Sequence, residues 1–91
     1  MSFSGEFVRN LPNRFHMQTK IVEIIQRLTA KAINPASDES LFESGLLDSF
    51  LLADLVAALE VEFAIKIPDS DLRPRKFDSI SLIEAYISNR V

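Results

Sequence analysis

Cysteine is missing altogether from this sequence, histidine occurs once and glycine twice. Without a thiol there are no disulfides, no thiolate metal ligands and no cysteine nucleophile, a usage that fits a reducing compartment. Any thiol chemistry has to be imported. One histidine and no cysteine cannot assemble a zinc site, and two glycines cannot build a glycine-rich phosphate loop. Long apolar runs are missing too. No stretch approaches the roughly 18 residues needed to cross a bilayer. Charges and Pro12 interrupt the opening segment MSFSGEFVRNLPNRFHM, which therefore does not read as a signal peptide. The expectation is a soluble, cytoplasmic protein without stable membrane insertion.

What is present is a charge partition. The overall balance is only −3, but residues 38–71 hold nine acids, among them Asp48, Asp54, Glu60 and Glu62, against the single base Lys66, a local net of −8. Such a field repels phosphate backbones, which argues against nucleic acid, and steers a partner with a basic surface toward the centre of the chain. Simple solubility explains the same acids equally well.

A chain of 91 residues makes one domain with one modest core. From Thr19 onward, Ile21, Ile24, Ile25, Leu28 and Ala32 recur at helical spacing, and Asn34-Pro35 is the expected stop. The polar PASDES follows, then LFESG, where Ser40 and Glu43 have the spacing of a capping box and Gly45 closes a short turn. A second helix is expected to start at Asp48-Ser49, because Leu52, Leu55, Val56, Leu59 and Phe63 then share a stripe. Its opposite side would carry Phe50, Asp54, Ala57 and Val61, more apolar than an ordinary solvated face. FAIKIPD alternates like a strand but has no second strand to pair with, so it reads as an extended loop. Ser70-Asp71-Leu72 opens a short helical turn broken at Pro74, and Asp78 or Ser79 caps a last helix carrying Ile80, Ile83 and Ile87 inward. The fold class is all-α: a four-helix bundle of three long helices and one short one, over residues 17–91. Residues 1–16, with Phe3, Phe7, Leu11 and Phe15 at steps of four but also Gly5, Asn10 and Pro12, are expected to form a poorly ordered arm.

The residue types at GLLDSF, Gly45 to Phe50, pose the functional question. A catalytic serine needs a base, usually an oriented histidine. The only histidine, His16, is in the arm, and GLLDS lacks the G-x-S-x-G turn. No catalytic residue and no metal site are expected; Asp69-Ser70-Asp71 begins like a calcium loop but continues without the ligands or glycine one requires. Asp48 and Ser49 are also ordinary helix-start residues, Asp48 capping free N–H groups. The cap reading is the stronger one for the pair in isolation; what raises the alternative is context, since a serine at the first helical position, between an acid and an apolar face, is placed to be modified.

The segment LFESGLLDSFLLADLVAALEVEFAIKIPDSDL, followed by KFDSISLIEAYI, resembles the acyl carrier protein family over roughly residues 18–90, and its LFESGLLDS form is similar to D-alanyl carriers and other stand-alone carriers. The resemblance implies a non-enzymatic protein. Its Ser49 would carry a covalent 4′-phosphopantetheine arm, donated from coenzyme A by a separate magnesium-dependent phosphopantetheinyl transferase that Asp48 helps to engage. The arm's thiol would hold an acyl or aminoacyl group as a thioester, as in lipid or fatty-acid biosynthesis or D-alanyl transfer. Loading and transferring enzymes with basic surfaces would meet Phe50, Ala57 and Val61 through apolar contact and Asp54, Glu60 and Glu62 through charge. Phe50, Leu51 and Leu52 depart from the leucine and nearby acids usual after Asp-Ser in fatty-acid carriers, which points to a dedicated pathway. Ala53, Ala57, Leu59 and Ile80 could line an acyl channel or simply pack the core. The competing expectation is an unmodified helical interaction domain with a carrier-like fold.

Overall fold

The computed structural model describes the backbone of residues 14–90 and the side chains of residues 17–90. The arm expected over residues 1–16 lies outside the described residues, apart from the backbone turn that begins at Arg14. Three α-helices are present among the described residues: α1 Arg14–Thr29, α2 Ser49–Phe63 and α3 Ile80–Ser88. Two 3-10 turns, Asp69–Asp71 and Pro74–Lys76, stand where one short helix was expected, and no strand forms among the described residues. Pro74 acts here as a start rather than a break, since it opens the second turn, where its missing N–H costs nothing.

Helix α1 packs against both α2 and α3. Its first half meets the middle of α3 and the end of α2: Gln18 Nε2 donates to Glu84 Oε1 at 2.8 Å, and Lys20 Nζ lies 3.3 Å from Glu62 Oε2. Ile21, Ile24 and Ile25 are buried as their spacing requires. The helix ends earlier than Pro35 predicts. Ala30 adopts a left-handed conformation with φ 59°, so the chain turns after Thr29 and Ala32 is exposed rather than on the core stripe. Side chains settle the new end: Thr29 Oγ1 donates to the Ile25 carbonyl at 2.8 Å, and Gln26 Nε2 donates to the Ile33 carbonyl at 2.7 Å.

Helix α2 contributes Leu52, Leu55, Val56 and Leu59 to the core, with Phe63 half-buried at its end. It stops in the same way as α1, at a left-handed Ala64 with φ 54°, whose N–H reaches the Glu60 carbonyl. The stretch after it is extended without a strand partner. Its buried Ile67 is satisfied from α2, because Glu60 Oε2 accepts the Ile67 N–H at 2.8 Å. Helix α3 is capped by Ser79, whose Oγ accepts the Leu82 N–H at 3.1 Å, and it turns Ile80, Ile83 and Ile87 inward. Fully buried Phe77 completes this end of the core beside Tyr86, their rings 5.1 Å apart.

A carboxylate staple fixes the two 3-10 turns to α3. Asp71 Oδ2 accepts from Tyr86 Oη at 2.6 Å and from an Arg90 guanidinium nitrogen at 2.9 Å, while Lys76 Nζ stands 3.3 Å from Oδ1. The tyrosine hydrogen bond holds the Asp71 carboxyl below its ordinary value, with Lys76 and Arg90 adding to the effect against partial desolvation. Desolvation, reinforced by the Asp71 bond, pushes the Tyr86 hydroxyl up to about 12.

Candidate functional site

The residues of GLLDSF are delivered to the surface by a turn and a helix cap. Ser40 Oγ accepts the Glu43 N–H at 3.1 Å, which starts a single helical turn over residues 40–45. Gly45 closes it at φ 85°, a conformation that suits glycine, and a Cβ added there would meet nothing within 4 Å. The chain then folds back: the N–H groups of Leu46 and Leu47 both reach the Leu41 carbonyl at 3.0 Å. Leu41 and Leu47 are buried, which pins both ends of the turn to the core.

Two residues further on, α2 begins. Asp48 is its N-cap in extended conformation, and its Oδ1 accepts the Leu51 N–H at 2.9 Å while its carbonyl accepts the Leu52 N–H at 2.9 Å. The first helical residue is Ser49, and it is exposed. With Leu51 bonded to the cap, the N–H groups of Ser49 and Phe50 have no acceptor inside the helix and point out of its positive end. An exposed hydroxyl beside free N–H groups at a helix N-terminus suits a phosphodiester.

The outer face of α2 has the apolar character that its sequence suggests. Phe50 is 86% exposed and Val61 84%, with Asp54 and Ala57 exposed between them. At about 100° per residue these four lie within roughly a 60° wedge, whereas Glu60 and Glu62 fall on its opposite flanks. Both glutamates are also engaged within the fold, Glu60 with the Ile67 N–H and Glu62 with Lys20. Ala53 and Ala57 are exposed while Leu59 and Ile80 are buried, so these four residues do not line one channel. Among the described residues no cluster of histidine, aspartate or glutamate could hold a metal ion, and no helix is long and apolar enough to cross a membrane.

One anchor of the site was not visible in the sequence. Asp78, read there as a candidate cap, leaves that task to Ser79 and reaches across to the turn. Its Oδ1 accepts the Phe42 N–H at 3.0 Å, Ser40 Oγ stands 2.9 Å from both carboxylate oxygens, and its carbonyl accepts the Leu41 N–H at 2.6 Å.

The described residues thus form a small helical domain that exposes a serine at a capped helix N-terminus. Residues 19–87 match the family model described as "Phosphopantetheine attachment site", and the chain belongs to that family. It is 31% identical to the D-alanyl carrier protein of Streptococcus uberis over 67 residues, 74% of this chain and 85% of that protein. Against the D-alanyl carrier protein of Streptococcus sanguinis the identity is 34% over 55 residues, 60% of this chain and 70% of that one. The protein is therefore a non-catalytic carrier of that family, with covalent 4′-phosphopantetheine as the prosthetic group.

Proposed function

We propose that Ser49 is the attachment point, and that the protein holds an acyl or aminoacyl group as a thioester on the arm and presents it to the enzymes of a dedicated pathway in the cytoplasm. The exposed Ser49 hydroxyl at the capped start of α2 is the observation that carries this reading. In the loading reaction a bond forms between Ser49 Oγ and the phosphorus of coenzyme A's pantetheine phosphate. The phosphoanhydride bond breaks, the nucleotide portion leaves, and the hydroxyl proton passes to the transferase. Asp48 shapes the helix start that the transferase and its magnesium ion meet. The Ser49 and Phe50 N–H groups stabilise the resulting phosphodiester. The arm supplies the thiol that the chain lacks.

The names of the relatives favour an aminoacyl cargo such as D-alanine over a long fatty chain. The mixed character of α2's outer face supports brief contacts with several enzymes: Phe50, Ala57 and Val61 give apolar area, Asp54 meets basic partner side chains directly, and Glu60 and Glu62 on the flanks add to the negative field that draws them. The paired 3-10 turns take the place of the short fourth piece of the bundle.

Incubation of the purified chain with coenzyme A and a promiscuous phosphopantetheinyl transferase tests the proposal. Intact mass should rise by one arm in the wild type and stay constant in Ser49→Ala. An unmodified wild type would instead favour an interaction domain, whose binding to a basic partner would weaken steeply with salt.

A further inference from the structure

We infer that Asp78 is a positioning residue for the modification of Ser49, a role that rests on the reading of Ser49 as the attachment point. The argument is a relay of short links. From the residue before the α3 cap, Asp78 binds the 40–45 turn three times, through Phe42 N–H and Ser40 Oγ on its carboxylate and Leu41 N–H on its carbonyl. The Leu41 carbonyl in turn receives both the Leu46 and Leu47 N–H groups. Leu47 precedes the Asp48 cap, and Asp48 precedes Ser49. The chain upstream of Ser49 is thus referenced to α3, across 36 to 38 residues of sequence, before it enters α2. A second strut runs parallel: the Ser81 N–H, in the first turn of α3, donates to the Ser37 carbonyl at 2.9 Å.

Asp78 makes its hydrogen bonds to residues 40–42 and none to Ser49 or the outer face of α2, so it acts through the turn. Removing its carboxylate leaves the Phe42 N–H and the Ser40 hydroxyl without their acceptor and lets the turn move relative to α3. The side chains that a partner grips, Phe50 to Val61, stay on an intact helix. Recognition survives, while the hydroxyl is held less often where the phosphorus arrives. Such misplacement acts on the chemical step rather than on docking.

The test measures initial rates of arm transfer by intact mass, with carrier concentration varied, for wild type, Asp78→Ala, Asp78→Asn, Ser40→Ala and Asp71→Asn. Asp78→Ala should lose on the order of tenfold in kcat with KM for the carrier nearly unchanged. Amide hydrogen exchange at Leu41, Phe42 and Ser44 should accelerate. Asp78→Asn, whose amide oxygen still accepts the Phe42 N–H, should recover most of the rate. Ser40→Ala, a milder probe in case Asp78→Ala unfolds, removes one link to Asp78 and the acceptor of the Glu43 N–H but leaves the carboxylate on the Phe42 N–H, and should lose about two- to fivefold. Asp71→Asn weakens the other carboxylate staple on α3 and should lower thermal stability without changing kcat. A folded Asp78→Ala protein modified at the wild-type kcat overturns the inference, as do equal losses in the Asp71 and Asp78 variants. A wild type that accepts no arm instead overturns the Ser49 reading itself.

Discussion

Truncating Phe50 to alanine separates docking from stability. The ring sits at the second position of α2 and is 86% exposed, so the fold gains almost nothing from it. Substitutions at such surface positions stay within about 0.5 kcal/mol of neutral, and alanine at a helical position is a better helix former than phenylalanine. The melting temperature should therefore be unchanged or slightly higher. A partner that covers the ring removes most of an aromatic side chain from water. Full burial of such a side chain is worth about 1.5–3 kcal/mol, so its loss should cost about 1.5–2.5 kcal/mol of affinity. At about 1.4 kcal/mol per factor of ten, that is roughly a ten- to sixtyfold rise in KM for the carrier. The transferase assay with carrier concentration varied reads this directly, and calorimetry or circular dichroism reads stability. A several-degree fall in melting temperature would mean that the ring packs within the domain. An unchanged KM for the transferase, and for every loading enzyme tried, would mean that the exposed stripe is not where partners bind.

Gly45→Ala should destabilise the domain by about 1–2 kcal/mol, from left-handed backbone strain alone, since the added methyl group meets no neighbour; denaturant titration checks it. The Asp71–Tyr86 staple should leave a signature at both ends of the pH range. Asp71 titrates lower when folded than when unfolded, so its contribution is complete above the ordinary carboxylate value and disappears as pH falls through the lowered folded value. Tyr86 is raised from 10.0 to about 12, so its contribution is complete below about pH 10 and disappears as pH climbs toward 12. Melting temperatures of Asp71→Asn should converge on wild type in strong acid, and those of Tyr86→Phe in strong base. Differences that persist unchanged at these extremes would contradict the assigned shifts.

The starts of α2 and α3 and most core positions were legible in the sequence; the start of α1, which begins at Arg14 rather than near Thr19, and the long-range polar contacts were not. The stripe Leu52, Leu55, Val56 and Leu59 and the Asp48 cap follow from spacing and residue type alone, and the structure reproduces them. The end of α1 was misplaced because Pro35 is a strong local stop, whereas an alanine turning left-handed at residue 30 leaves no mark in a sequence where alanine favours helix. Asp78 and Ser79 are both good cap residues, and only the geometry assigns the cap to Ser79 and frees Asp78 for the turn. Glu60 shows the same limit. Its spacing puts it on the rim of the apolar wedge, but its carboxylate also serves the Ile67 N–H, a need created by an extended segment with no neighbouring strand. The local geometry around Ser49 was readable because its parts are consecutive in the chain. Its support was not, because half of that support lies more than thirty residues away.

The Asp78 clamp also has a meaning for biosynthesis. On a ribosome, the serine emerges well before the strut that steadies it, and residues 37–49 stay incomplete as a platform until residues 78–81 clear the exit tunnel. Contacts that bridge such a separation close late in folding. A chain interrupted between α2 and α3 would hold every atom of the GLLDSF segment yet lack the brace beneath it. The order of synthesis thus completes the brace upstream of Ser49 only after the start of α3 has been made.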